Sequence, residues 1–346
     1  MMELKDGALV FRFPDVHEHA ELRVVFHRTL RIPDDGGTYP LPPTLGKFPV
    51  RHVDDFAERV PEDWMRHGGV MLPMFQSEAM WLQFYSPRTY PFAIKVATGK
   101  INAVTGERWR DGLNRRPQDY MVAPGQPWLD GYCVRKGLIR QFVAMPLGAG
   151  YTAEEQVTGR ADHGGLQISA IPLRGEVWER MQAKWRPPPL LDWLAGSGGH
   201  VTRGGAPEPA GATRSMEMGL APGGRMRQSI HTDKRPLEDW DTRVSNRCFV
   251  HLANSLAWRH ITGAEPPTAP RTAEEYTRHG LPWFDYYGEG RTAVGGSGIL
   301  GGLKSVLQMG HEKGESPLPE NASTDPFNLV HLRKGLRENE IREGAF

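Results

Sequence analysis

The stretch MEMGLAPGGRMRQSI, residues 216–230, decides how the second half of the chain is read. Its two glycines and two arginines have the look of a phosphate cradle. Such a loop presents backbone N–H groups at the start of a helix that follows a strand. The Walker ending Gly-Lys-Ser/Thr is missing here, and the G-x-G-x-x-G spacing is not met. Met216, Met218 and Leu220 alternate before the glycines, and Met226 and Ile230 continue the alternation after them. A period of two belongs to strands. Adjacent glycines supply the positive φ that tight hairpin turns demand. The stretch therefore reads as a hairpin with its tip at Gly223-Gly224, and Arg225 and Arg227 project from one face. It is not an anion site.

The first half also reads mostly as strands, from a different signal. ALVFRF (8–13), LRVVFHRTLRI (22–32), GVMLPMF (69–75), MWLQFYS (80–86) and FAIKVATG (92–99) are apolar runs bounded by Gly, Pro or Asp. DYMVAP (119–124), GLIRQFVAM (137–145) and GLQISAIPL (165–173) continue the series, and all read as strands. ATGKINAVTG (97–106) carries glycines at both ends, the signature of a hairpin arm. Helices are short and peripheral: VDDFAERV (53–60), EVWERMQAKW (176–185), a capping box at Thr152-x-x-Glu155, SLAWRHITG after Asn254, and Thr272-x-x-Glu275. The tail predicts helices over 299–314 and from Pro326 onward, with Asp325 as cap.

RPPPLLDWLAGSGGHVTRGGAPEPAGATRS (186–215) breaks the pattern with prolines, glycines and few charges, as a linker does. The expected organisation is a β-rich domain at 1–186, a linker at 187–214, a smaller α+β region at 215–290 and a helical tail at 291–346. The fold class is α+β and β-rich, with an antiparallel or mixed sheet arranged as a sandwich or barrel.

Composition narrows the function. The 346 residues carry 42 Lys+Arg against 41 Asp+Glu, a formal charge of +1. That lacks the basic excess of a nucleic-acid binder. Hydrophobic residues at 39% and charged residues at 24% fit a soluble globular protein. The N-terminus has charges where a secretory signal needs an apolar run, and no stretch approaches the ~20 apolar residues of a membrane helix. Two cysteines 115 residues apart, Cys133 and Cys248, make no disulfide framework. A cytoplasmic location follows as the expectation.

The segments GGVMLPMFQSEAMWLQF, QPWLDGYCV, IRQFVAMPLGAGYTAEEQVTG, EMGLAPGGRMRQ and GLPWFDYY together resemble an uncharacterised family of soluble microbial proteins. The resemblance spans nearly the whole chain and brings no chemistry with it. Members are sometimes labelled integral membrane proteins, a label that the hydropathy of this sequence contradicts. The family's variable segment before EMGL coincides with the linker.

Each candidate site lacks a partner in the local sequence. His17-x-His19 with Glu21 has no third ligand at a recognisable spacing, so no metal is expected. Asp162-His163-Gly164-Gly165 is similar to a hydrolase oxyanion loop, but no G-x-S-x-G elbow accompanies it. Ser297, among glycines 295–298, has neither the elbow spacing nor a preceding strand. Cys133 and Cys248 sit in alternating strands that bury them as small hydrophobes. In QPWLDG (126–131), Trp128 and Asp130 are pocket candidates suited to a sugar or cation, although a turn made by Pro and Asp-Gly with Trp128 plugging the core is the favoured account. In LPWFDYY, the aromatics Trp283, Phe284, Tyr286 and Tyr287 suit a subunit interface, and packing of the C-terminal segment onto the first domain explains them about as well.

The expected function is therefore a non-enzymatic binding or self-assembling structural protein, acting through aromatic-rich surfaces as a homo-oligomer, with no cofactor. A further protein partner is open. The alternative is a hydrolase or carbohydrate-active enzyme using Asp130, Asp162 and His163 in one cleft.

Overall fold

In the computed structural model, residues 217–227 form one unbroken strand. The hairpin expected at Gly223-Gly224 does not exist, and the reason lies in the partner strand. Arg140 faces Arg225 while Phe142 faces Pro222, so three steps on one strand match two on the other. That is a β-bulge. The glycines serve close approach and not a turn. A Cβ on Gly224 would lie 2.4 Å from the Pro33 carbonyl oxygen, and one on Gly223 would lie 2.5 Å from Val143 Cγ2. The crossing segment is pinned by Gln141, whose side chain accepts from the Ile32 N–H at 3.0 Å and donates to the Leu30 carbonyl at 2.8 Å.

The structure describes residues 1–184, 216–286, 291–316 and 322–332, without the side chains of Tyr286, His331 and Leu332. The expected linker at 187–214 and Tyr287 lie outside these residues.

β1 (Met2–Lys5), β2 (Ala8–Arg12) and β3 (Glu21–Thr29) make an antiparallel meander. β4 (Thr38–Tyr39), β5 (Thr44–Lys47) and β6 (Arg51–His52) are short pieces along it and its neighbours. β7 (Val70–Met74) leads to β8 (Ala79–Tyr85), which lies beside β3. β9 (Phe92–Thr98) turns back into β10 (Ile101–Asn102), and β11 (Met121–Ala123) pairs with the other end of β9. β12 (Trp128–Leu129) and β13 (Gly131–Arg135) precede β14 (Leu138–Pro146). β15 (Leu166–Pro172) runs between β9 and β17 (Asn246–Asn254), while β16 (Glu217–Arg227) follows β14.

Among the described residues these seventeen strands share one hydrogen-bonded sheet. Its pairs are antiparallel except β4–β16 and β7–β17. One group of strands is ordered β1-β2-β3-β8-β14-β16, and the other is β7-β17-β15-β9; Glu217 and Met218 join them by pairing with Ala253 and Leu252. The region expected as a separate unit after the linker thus contributes β16 and β17 to the same sheet as residues 1–186. The sheet is sandwich-like and does not close into a barrel.

The core lies between the two groups. Leu9, Phe11, Leu22, Val24, Leu82 and Phe142 from one side meet Ile94, Val96, Leu166, Ile168 and Val250 from the other. Ala8 and Val10 alternate to the reverse face and pack with Val25. Each fully buried side chain of this size stabilises the fold by about 1.5–3 kcal/mol.

Among the described residues seven short α-helices decorate the sheet: α1 (Glu62–His67), α2 (Ala153–Thr158), α3 (Gly175–Lys184), α4 (Ser255–Thr262), α5 (Ala273–Arg278), α6 (Gly298–Gly302) and α7 (Val306–Glu312). The expected capping boxes start α2 and α5, and Asn254 caps α4. The tail departs from expectation twice. The single helix expected over 299–314 is divided, because Ser305 opens a new capping box at α7. Residues Leu329–Leu332, expected in a helix, instead form β19, parallel to β18 (Trp283–Tyr286). Ladder pairing with β18 outweighs the Asp325-Pro326 helix-start signal. No helix among the described residues is long and apolar enough to cross a membrane.

Candidate functional site

The predicted candidates separate into those absorbed by the core and those that meet in a cleft. Asp130 belongs to the first group. Its carboxylate accepts from Gln228 Nε2 at 2.8 Å and from the Trp128 indole, while its own N–H donates to Gln228 Oε1 at 3.1 Å. Burial pushes its carboxyl up to about 7. Trp128 is half-buried, and the group ties β12 to the end of β16. Asp130 is not among the residues that line the cleft holding Asp162 and His163.

Cys133 and Cys248 are both buried, and burial pushes their thiols up to about 11 and about 12. Such thiols are poor nucleophiles. Ser297 caps α6, accepting from the Leu300 N–H and donating to the Thr105 carbonyl. His17 reaches Glu179 on α3 at 2.7 Å, and its Nδ1 accepts from the His19 N–H at 3.0 Å. No cluster of His, Cys, Asp or Glu among the described residues could hold a metal.

Trp283 is not a surface residue. It is wholly buried in a small core with Leu30, Ile32, Tyr39, Ile139 and Met226, and its indole donates to Thr277 Oγ1 at 3.1 Å. Phe284 is half-buried, with its backbone bonded to Leu41. The aromatic run is therefore partly consumed by packing within the chain.

Asp162 and His163 line a cleft of about 210 Å³ with Lys100, Arg108, Trp109, Glu154 and Arg160. Its construction starts at the β9–β10 turn. Gly99 and Lys100 both have positive φ, 53° and 60°, as a two-residue type I′ turn requires. Gly99 is needed for a second reason: a Cβ there would fall 2.3 Å from Glu154 Oε2. Glu154 on α2 can therefore approach the turn. Its carboxylate accepts from the N–H groups of Asp162, His163 and Gly164 at 3.1, 2.9 and 2.8 Å. Burial raises the Glu154 carboxyl, opposed by these three amides. The side chain holds the 162–164 loop in place, so the resemblance of Asp-His-Gly-Gly to an oxyanion loop has a structural cause: its amides already serve a carboxylate.

Lys100 is fixed by its N–H donating to Gln167 Oε1 at 2.6 Å, and its carbonyl accepts from the Trp109 N–H at 2.7 Å. Its ammonium lies 5.8 Å from the Phe249 ring centroid. Lys100, Arg108 and Arg160 make no ion pair among the described residues. His163 Nδ1 is buried and has no hydrogen-bond partner there either. Burial, and then Lys100, holds its imidazole below the usual range. His67 sits edge-on to His163 at 6.1 Å and stacks on Phe249 at 4.3 Å. Among the described residues that line the cleft, Asp162 is the one exposed carboxylate.

Sequence reasoning found Asp162 and His163 but missed Lys100, Arg108, Glu154 and Arg160. The hairpin arm and the Thr152 capping box were legible, and both flank the cleft. Comparison with protein-family models, curated proteins and solved structures returns no match.

Proposed function

We propose that this chain is a binding protein for a small organic or inorganic anion, held between the β9–β10 turn, α2 and the 160–164 loop. The carrying observation is the convergence of Lys100, Arg108 and Arg160, without carboxylate partners among the described residues, on one cleft. Unpaired cations around a concave, partly desolvated site attract an anion more strongly than the same charges on an open surface. At about 210 Å³ the cleft is below the usual 300–1,000 Å³ of drug-sized sites, so the ligand is small. Trp109 supplies one flat apolar wall, and neutral His163 offers a hydrogen bond from the floor. The class of function is the non-enzymatic binding expected from the sequence, relocated from an aromatic surface to a basic cleft. A soluble, cytoplasmic setting accords with the two unpaired, buried cysteines.

The test is isothermal titration of the full chain with phosphate, sulfate and citrate at low ionic strength. Saturable one-site binding is expected for at least one of them. The double variant Lys100→Gln/Arg160→Gln should bind at least ten-fold more weakly while melting at the same temperature. Absence of saturable heat with all three anions, or equal affinity in the variant, overturns the assignment.

A further inference from the structure

The arm that builds one wall of the anion cleft has a second concave side. Beyond β10 the chain turns at Gly106, where a Cβ would meet Ile299 Cβ at 2.9 Å and Leu300 Cγ at 3.0 Å. The glycine thus lets α6 press against the arm. Gly296, with φ of 85°, passes so close to β13 that a Cβ there would be 2.2 Å from Arg135 Cα. The 295–298 loop is pinned further by the Ser297 N–H donating to the Cys133 carbonyl at 3.1 Å. Between this loop, the arm and residues 115–118 lies a cleft of about 640 Å³.

Its chemistry is uneven. Val104, Pro117, Val294 and Ile299 contribute aliphatic side chains to the lining, and the consecutive residues Arg115 and Arg116 contribute its charges. Arg115 is anchored by Nη2 donating to the Asp233 carbonyl at 2.9 Å. The Arg116 side chain is exposed and makes no ion pair among the described residues. Among the described residues, no carboxylate and no aromatic ring lines this cleft. Ile299 is 47% exposed, an apolar side chain left at the rim.

We propose that this second cleft binds an aliphatic carboxylate, with the acid group between Arg115 and Arg116 and the hydrocarbon chain along the Val104, Val294 and Ile299 wall. Size decides against a bare inorganic anion, since 640 Å³ lies within the range of organic-ligand sites. The lack of carboxylates decides against a cation. The lack of a ring to stack upon decides against a nucleobase or aromatic acid. A guanidinium pair matches the planar carboxylate by forked hydrogen bonds.

Gly295 makes the cleft testable without dismantling it. A Cβ there meets nothing within 4 Å and its φ is not left-handed, so Gly295→Leu should fill space at the wall while the fold persists. Titration of the full chain with dodecanoate, below its micelle concentration, should show saturable one-to-one binding. Affinity should fall at least ten-fold in Gly295→Leu and in Arg115→Gln/Arg116→Gln. It should fall similarly for dodecanol, which keeps the chain and loses the charge. The anion-cleft variant Lys100→Gln/Arg160→Gln should leave dodecanoate binding unchanged, which separates the two sites. Should the arginine variant unfold, Gly295→Leu and dodecanol still decide. The proposal is overturned if wild type shows no saturable binding. It is equally overturned if binding survives Gly295→Leu, if dodecanol binds as tightly, or if the Lys100 variant abolishes it.

Discussion

Replacing Lys95 by Met should cost about 3–5 kcal/mol, because it breaks a buried ion pair and leaves one partner behind. Lys95 lies in the middle of β9 with a side chain 2% exposed. Its ammonium pairs with Asp119 at 2.7 Å and donates to the carbonyls of Arg110 and Gly112 at 2.6 and 2.7 Å. All three of its N–H donors are thereby used. Methionine fills similar volume but abandons a buried carboxylate and two carbonyls. Domains are stable by about 5–15 kcal/mol, so the variant should lose roughly a fifth or more of its stability. Asp119 keeps one contact, accepting from the Asn114 N–H at 2.8 Å. Lys95→Met/Asp119→Asn removes the stranded charge, and should be more stable than Lys95→Met alone. The residual loss is then that of the two carbonyls, about 1–3 kcal/mol each when unsatisfied. Urea unfolding followed by tryptophan fluorescence measures both, with Trp109 a local reporter because its ring centroid lies 5.2 Å from Lys95 Nζ. A loss under about 1 kcal/mol for Lys95→Met, or strict additivity of the two substitutions, would refute the reasoning. The residue also fixes the loop carrying Arg108 and Trp109 to one cleft and Arg115 and Arg116 to the other. Both ligands should therefore bind more weakly in Lys95→Met, even at temperatures where it remains folded.

Gly224→Ala should destabilise by about 1–3 kcal/mol or more, since its Cβ would sit 2.4 Å from the Pro33 carbonyl oxygen and the crossing backbone must move; thermal melts reading no change would contradict that close approach. Asp130 sets a pH dependence of definite sign. Its carboxyl is pushed from 3.8 up to about 7 in the folded chain, so between those values the unfolded state has lost a proton that the folded state keeps. Stability from this group is complete below about pH 4 and declines as pH rises to about 7, by on the order of 4 kcal/mol. The stability of wild type relative to Asp130→Asn, taken from urea curves at several pH values, should fall across that window, and parallel profiles would exclude the effect.

Legibility of the fold follows from how local its causes are. The strands of 8–12, 92–98 and 166–172 are evident because an apolar run bounded by Gly, Pro or Asp is written into each segment by itself. The capping boxes of α2 and α5 were evident for the same reason, a hydroxyl and a carboxylate three residues apart. Gly223-Gly224 was misread because two glycines serve a turn and a close approach equally well. What distinguishes them is the Pro33 carbonyl and the Gln141 side chain, both distant in sequence. Interface and internal packing stay equally open for Trp283 in the sequence because its neighbours in the core, Leu30, Tyr39 and Ile139, come from remote strands. The cleft is harder still. Its cations come from a turn, an arm and a helix-to-strand loop, and each alone is an ordinary surface charge. Lys95 shows where a better reading could begin. Ile94 and Val96 alternate toward the core, so period two sends Lys95 to the reverse face. A charge there requires either water or a covering loop that supplies a counter-ion. The sequence between 100 and 120 holds a candidate for that loop, with Asp111 and Asp119 able to answer the charge. Only the fold selects Asp119. Once that pair closes, the two ends of the same loop are committed to the two sides of the arm, and a single buried lysine determines where both clefts can form.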